Sequence, residues 1–88
     1  MKYYYKNIPR LGNVAITRHA QDRLVNDGVT DEQVEDVLMH GHDRPDGNSV
    51  VWREKNRIRL VIETKPLVNS GAVVCFTGFR VKAQERSR

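Results

Sequence analysis

The apolar residues of this chain change their spacing once, and that change limits the folds open to it. Ile16, Ala20 and Leu24 recur at four, and Val34, Val37 and Leu38 make a second stripe at three and four. From residue 49 onward the spacing is two: Ile58, Leu60 and Ile62 alternate with Arg57, Arg59, Val61 and Glu63. The first spacing belongs to helices that bury one face, the second to strands. With 88 residues there is room for one domain and a modest core.

Local signals mark the ends of both helices. Thr17 is the N-cap of a helix from Arg18 to about Asp27, and Gly28 takes the left-handed position after it. Thr30-Asp31-Glu32-Gln33 is a capping box, with Val29 and Val34 placed as a hydrophobic staple. Asp31 and Glu32 complement the helix dipole, and the helix stops at Gly41 with His40 in its last turn. Only Gly28-Val29-Thr30 separates the helices, so they form a helical hairpin.

A polar loop is expected from His42 to Asn48, around Pro45 and Gly47. Strands follow at Ser49–Arg53, Arg57–Thr64 and Ala72–Val81, with a turn at Glu54-Lys55-Asn56 and a connection through Pro66 and Gly71. In the last strand Val74 and Phe76 share one face, and Val73, Cys75, Thr77 and Phe79 share the other, with Gly78 marking a bulge. The expected fold class is α+β: a helical hairpin packed on an antiparallel sheet of three strands. A fourth is added if residues 1–15, where Tyr3-Tyr4-Tyr5 favours extended chain, form one. The domain then spans 16–81, between an N-terminal extension (1–15) and a basic tail (82–88).

The net charge is +4, and its distribution says more than its sum. Residues 31–46 hold Asp31, Glu32, Glu35, Asp36, Asp43 and Asp46 against Arg44, whereas the flanking segments are basic. A basic sheet beside an acidic helix suits a polyanion-facing surface, or two complementary docking faces that include a homodimer's. A single cysteine, Cys75, excludes a disulfide within the chain and reads as a buried core thiol. Lys2 to Lys6 lacks the apolar stretch of a signal peptide, and no run reaches the length of a membrane span. These features point to a reducing, cytoplasmic compartment and to no membrane partner.

Thr17-Arg18-His19-Ala20-Gln21-Asp22-Arg23, the link Gly28-Val29-Thr30, the acidic stretch Glu35-Asp36-Val37-Leu38 and the ending Thr77-Gly78-Phe79 carry a family resemblance. Together they resemble a family of small bacterial and phage domains, the domain of unknown function numbered 4258, over roughly residues 14–81. That family is similar in outline to RNase toxins of the RelE, barnase and colicin-nuclease type. The resemblance implies a RelE-like fold and metal-independent RNA cleavage with no cofactor. It also implies RNA or the ribosome as a target and an antitoxin as a partner. The rival reading is a non-catalytic phage or bacterial accessory module that engages a host protein or nucleic acid through its charged faces.

Cleavage of RNA without metal needs a base for the 2′-OH, a cation for the phosphorane and an acid for the leaving oxygen. His19 is the candidate for proton transfer, since imidazole titrates near neutrality. Its alternative is a histidine that packs or bonds to a strand. Arg23, one turn on, either clamps phosphate or pairs with Asp27. Arg59 and Arg80 are the other candidate phosphate clamps, and Thr77 offers a hydroxyl. Arg18, Arg53, Arg57 and Lys82 complete the candidate nucleic-acid-binding set. Trp52 either stacks a base or fills the core. His40, His42 and Asp43 make a loose metal-like spacing that a helix end explains without a metal, so no metal site is assigned.

Overall fold

A computed structural model describes residues 1–82, so of the expected basic tail only Lys82 is described. Both helices start where the caps predict. Helix α1 (Arg18–Asn26) opens with the Ala20 N–H donating to Thr17 Oγ1 at 3.1 Å. Helix α2 (Asp31–His40) opens on the full capping box: the Gln33 N–H donates to Thr30 Oγ1 at 3.1 Å, and the Thr30 N–H donates to Gln33 Oε1 at 2.9 Å. Gly28, at φ +74°, turns the chain between them.

The sheet corrects the expected architecture. It has six strands, not three or four: β1 (Tyr4–Ile8), β2 (Gly12–Ile16), β3 (His42–Pro45), β4 (Val50–Lys55), β5 (Ile58–Glu63) and β6 (Val73–Arg80). Their order is β1-β2-β6-β5-β4-β3, and the β2–β6 pair is parallel, so the sheet is mixed. Residues 1–15 are therefore not an extension, because the β1–β2 hairpin is part of the sheet. Its alternation is hard to read because the register slips between Tyr5 and Ile8, where Asn7 takes φ 59°. The segment expected as a loop from His42 contains β3, an edge strand with every residue exposed. Such a strand has no apolar alternation to betray it, and Pro45 is tolerated on an edge.

A bulge in β6 makes the second correction. Val61 pairs with Thr77 and Ile62 with Cys75, so Phe76 is the extra residue. One extra residue reverses which face every later side chain takes. Val73 and Cys75 point to the helices, as does Gly78, whose added Cβ would meet Leu60 Cδ2 at 2.9 Å and Leu24 Cδ2 at 3.1 Å. Thr77 and Phe79 consequently lie opposite Cys75 rather than beside it. Gly78 is not the bulge; it is the point where α1 comes close to β6.

Ala20 and Leu24 of α1, Val34, Val37 and Leu38 of α2, and Ile58, Leu60, Ile62 and Cys75 of the sheet form the core, all almost fully buried. The sheet curls around α2 until its two ends approach. Arg10, in the turn after β1, lies 3.5 Å from Asp43 of β3, the strand at the opposite edge. Asp43 also accepts two bonds from Arg53, at 2.6 and 2.9 Å, and Arg53 Nη1 donates to Leu38 O at 2.7 Å, capping the end of α2. Among the described residues no helix is long and apolar enough to cross a membrane.

Burial pushes the Cys75 thiol up to about 12. A thiol that stays protonated at neutral pH and is closed off from solvent is inert to disulfide exchange. In native protein Cys75 is expected to resist an aromatic disulfide reagent, and to react fully once denaturant unfolds the chain. Fast labelling of the folded protein would show that β6 opens locally.

Candidate nucleic-acid interface

The face of the sheet away from α2 carries a row of alternating arginines and aromatic rings. It begins at β3, where Arg44 lies across from Trp52 of β4 with its guanidinium 5.1 Å from the indole centroid. Arg59 of β5 stands 4.1 Å from the same indole and 5.5 Å from the Phe79 ring of β6. Arg23, reaching from α1, covers Phe79 at 4.4 Å. Its Nη1 also donates to Thr77 Oγ1 at 3.5 Å. Five residues from four elements of the sheet and one helix thus form a continuous ladder of guanidinium and ring planes.

The local sequence explains why these groups meet. Asn56 and Arg57 form a two-residue turn with φ 53° and 63°, which sets Lys55 opposite Ile58 and Glu54 opposite Arg59. The turn expected at Glu54-Lys55-Asn56 is one residue out of place, and that error hides Glu54 from Arg59. Glu54 Oε2 in fact accepts from Arg59 Nε and lies 3.7 Å from Arg44 Nη2. One carboxylate therefore ties two rungs together and fixes their planes. The Trp52 indole N–H donates to Asp46 Oδ2 at 3.0 Å, which orients the ring.

Of the candidates from sequence, Arg23, Arg59 and Thr77 converge here. His19 is exposed on α1, one helical turn before Arg23 and in the same column of side chains. Asp27 does not pair with Arg23; its carboxylate accepts the Arg80 N–H at 2.8 Å. Arg80 is turned away from the ladder by the Phe76 bulge. Its Nε donates to Asp27 O and its Nη2 to Gly28 O, each at 3.2 Å, so it caps the end of α1.

The binding set is dispersed. Arg53 is 1% exposed and spent on Asp43 and Leu38, so it is no surface cation. Arg18 pairs with Asp22 on exposed helix surface at 3.1 Å. Arg57 and Lys82 sit beyond the ladder, at the end of the sheet. Sequence reasoning missed Arg44, Phe79 and Glu54 altogether. A hairpin turn read correctly at Asn56-Arg57 is the signal that finds Glu54.

His42 is the cross-strand partner of Glu54, so the ladder has an imidazole near each end. Among the described residues no three His, Cys, Asp or Glu side chains are grouped to hold a metal ion. No protein-family model, no curated protein and no solved structure matches the chain.

Proposed function

We propose that the protein is a small RNA-binding domain that takes single-stranded RNA across the open face of its sheet and cleaves it without a metal, in the cytoplasm. The ladder Arg44–Trp52–Arg59–Phe79–Arg23 carries the reading. A sheet face cannot enter the deep, narrow major groove of an RNA duplex, but it suits unpaired bases that stack on rings and guanidinium planes. The same arginines neutralise phosphates along the strand. Arg23 and Arg44, at the exposed ends, are placed to exchange their ring contacts for phosphate.

Cleavage adds proton transfer to binding. His19 stands beside Arg23, so a phosphate held by that guanidinium meets an imidazole within one helical turn. Arg59, fixed by Glu54, supplies a preorganised cation for the charge that builds on the phosphorane oxygens. His42, next to Glu54, is the second imidazole available to the strand.

Fluorescence anisotropy with short single-stranded and duplex RNA tests the binding. Single strands should bind more tightly, and Trp52→Ala should weaken them about tenfold, the loss of roughly one stacked base. Arg23→Gln should also lower the slope of log K against log salt by about 0.7, one phosphate contact. Equal binding by Trp52→Ala and wild type would overturn the reading. For cleavage, wild type and His19→Ala are compared on one labelled RNA. Loss of cleavage with retained binding assigns the proton transfer to His19. Binding with no cleavage by either leaves an accessory module that engages RNA without altering it.

A further inference from the structure

We infer that the end of the sheet beyond the ladder is a separate site for a phosphomonoester dianion, and that it takes the terminal phosphate of the bound strand. The source of the phosphate rests on the RNA reading above; the site itself does not.

A cavity of about 520 Å³ lies between the β4–β5 turn, the end of β6 and the end of α1, lined by Asp27, Asn56, Arg57, Arg80, Val81 and Lys82. Three cations face one carboxylate there, and that carboxylate is already committed to the Arg80 N–H. The Arg80 guanidinium is anchored at the rim by the Asp27 and Gly28 carbonyls, so its charge is fixed without a carboxylate partner. The Val81 N–H donates to Arg57 O at 2.7 Å, which ties the turn to the end of β6 and holds the cavity's two walls together.

Arg57 gives the strongest indication. It occupies the second position of a turn in which both residues have positive φ, where glycine or asparagine is the unstrained choice. Arginine at φ 63° carries a steric cost, and the residue that bears it lines the cavity. Neither Arg57 nor Lys82 pairs with a carboxylate among the described residues. A terminal phosphate carries more charge than an internal diester and has three equivalent acceptor oxygens, so a three-cation site favours it.

The ladder leads to this site. A second cavity, of about 630 Å³, adjoins the same turn. It shares Asn56, Arg57 and Val81 with the first and reaches Arg44 and Glu54. A strand stacked on the ladder can run off the Arg44 end and turn its terminus around Arg57.

The test uses the full chain and one RNA sequence made with a 5′-phosphate, with a 3′-phosphate, or with neither. Inorganic phosphate is titrated separately while backbone amides are followed by NMR. One phosphorylated end should bind about tenfold more tightly than the hydroxyl-ended strand. Arg57→Asn, which keeps a residue at ease with positive φ, should abolish that preference. Inorganic phosphate should shift the amides of Asn56, Arg57 and Lys82. Should no RNA bind while these shifts remain and vanish in Arg57→Asn, the RNA reading fails and the site stands as one for free phosphate. Equal affinity for all three RNAs, or equal weakening of all three by Arg57→Asn, overturns the inference, as does a phosphate titration that leaves those amides unmoved.

Discussion

Alanine at Asp43 is expected to cost the fold about 3–5 kcal/mol, because it leaves a buried charge without its counter-ion. Arg53 is 1% exposed while the Asp43 side chain keeps 26% of its surface in solvent. The two partners are therefore unequal. Removing Asp43 strands a guanidinium that has no route to water. Removing Arg53 leaves a carboxylate that water and Arg10 can still serve. Arg53→Met, which keeps the apolar stem, is expected to cost less than half as much. The double variant should recover most of the stability lost in Asp43→Ala. For a domain of this size the loss in Asp43→Ala corresponds to a fall in Tm of roughly 15–30 °C. Thermal melts followed by circular dichroism measure it, and equal losses in the two single variants would sink the argument.

The same pair sets the acid limit. Hydrogen bonds from Arg53, aided by the charges of Arg53 and Arg10, hold the Asp43 carboxyl below its usual range. A carboxyl lowered in the folded state contributes stability that is complete above its unfolded pKa of about 4 and is lost as pH falls through the folded value. Wild type should therefore lose stability below about pH 4. Asp43→Ala, already weakened at neutral pH, should show a shallower fall over that window.

Leu24→Ala is the second large effect, expected at about 2–5 kcal/mol. Leu24 is fully buried where α1 meets β6, and its methyl groups lie 3.1–3.2 Å from where a Cβ on Gly78 would stand. Gly78→Ala in an otherwise wild-type chain should cost about 1–3 kcal/mol, since Leu60 and Leu24 must both give way. Combined, the two changes should cost clearly less than their sum, because the new methyl occupies part of the space that Leu24 vacates. Denaturant melts of the four chains give the coupling directly. Strict additivity would mean that α1 does not rest on Gly78. Leu24 also lies beside Arg23, so the single variant should loosen Arg23 from Phe79 and weaken the RNA binding proposed above even where the protein remains folded.

The helices were legible because their information is local. Thr17, Thr30, Gln33 and Gly28 each act on neighbours within four residues, and each does in the structure what its chemistry dictates. Strand β5 was legible for a similar reason, through its own alternation. The sheet's full extent was not. Strand β3 is an exposed edge that exists only by pairing with β4, and the β1–β2 hairpin gains its place from β6, about sixty residues away in sequence. The parallel β2–β6 contact is three residue pairs long and leaves no mark on either strand.

The candidate site was half legible for two reasons: the misplaced turn hid Glu54 from Arg59, and a single residue, Phe76, decides which side of the sheet the end of β6 presents. Strict alternation from Cys75 sends Arg80 outward with the sheet cations and buries Thr77 and Phe79. The bulge does the reverse, giving the ladder its phenyl rung and α1 its arginine cap. No composition or charge count contains that choice, because it depends on how β6 fits against β5.

The last strand in sequence occupies the middle of the sheet, between β2 and β5. During synthesis the N-terminal hairpin and the β3–β5 meander therefore emerge as two separate pieces with no common edge. They join into one sheet only when residues 73–80 have been made and can slot between them. Thr77 and Phe79 arrive with that same strand, and Arg23 has no ring to rest on until they do. The topology implies that a nascent chain carries only the Arg44–Trp52–Arg59 half of the ladder, so the step that completes the fold is also the step that completes the surface on which the proposed activity rests.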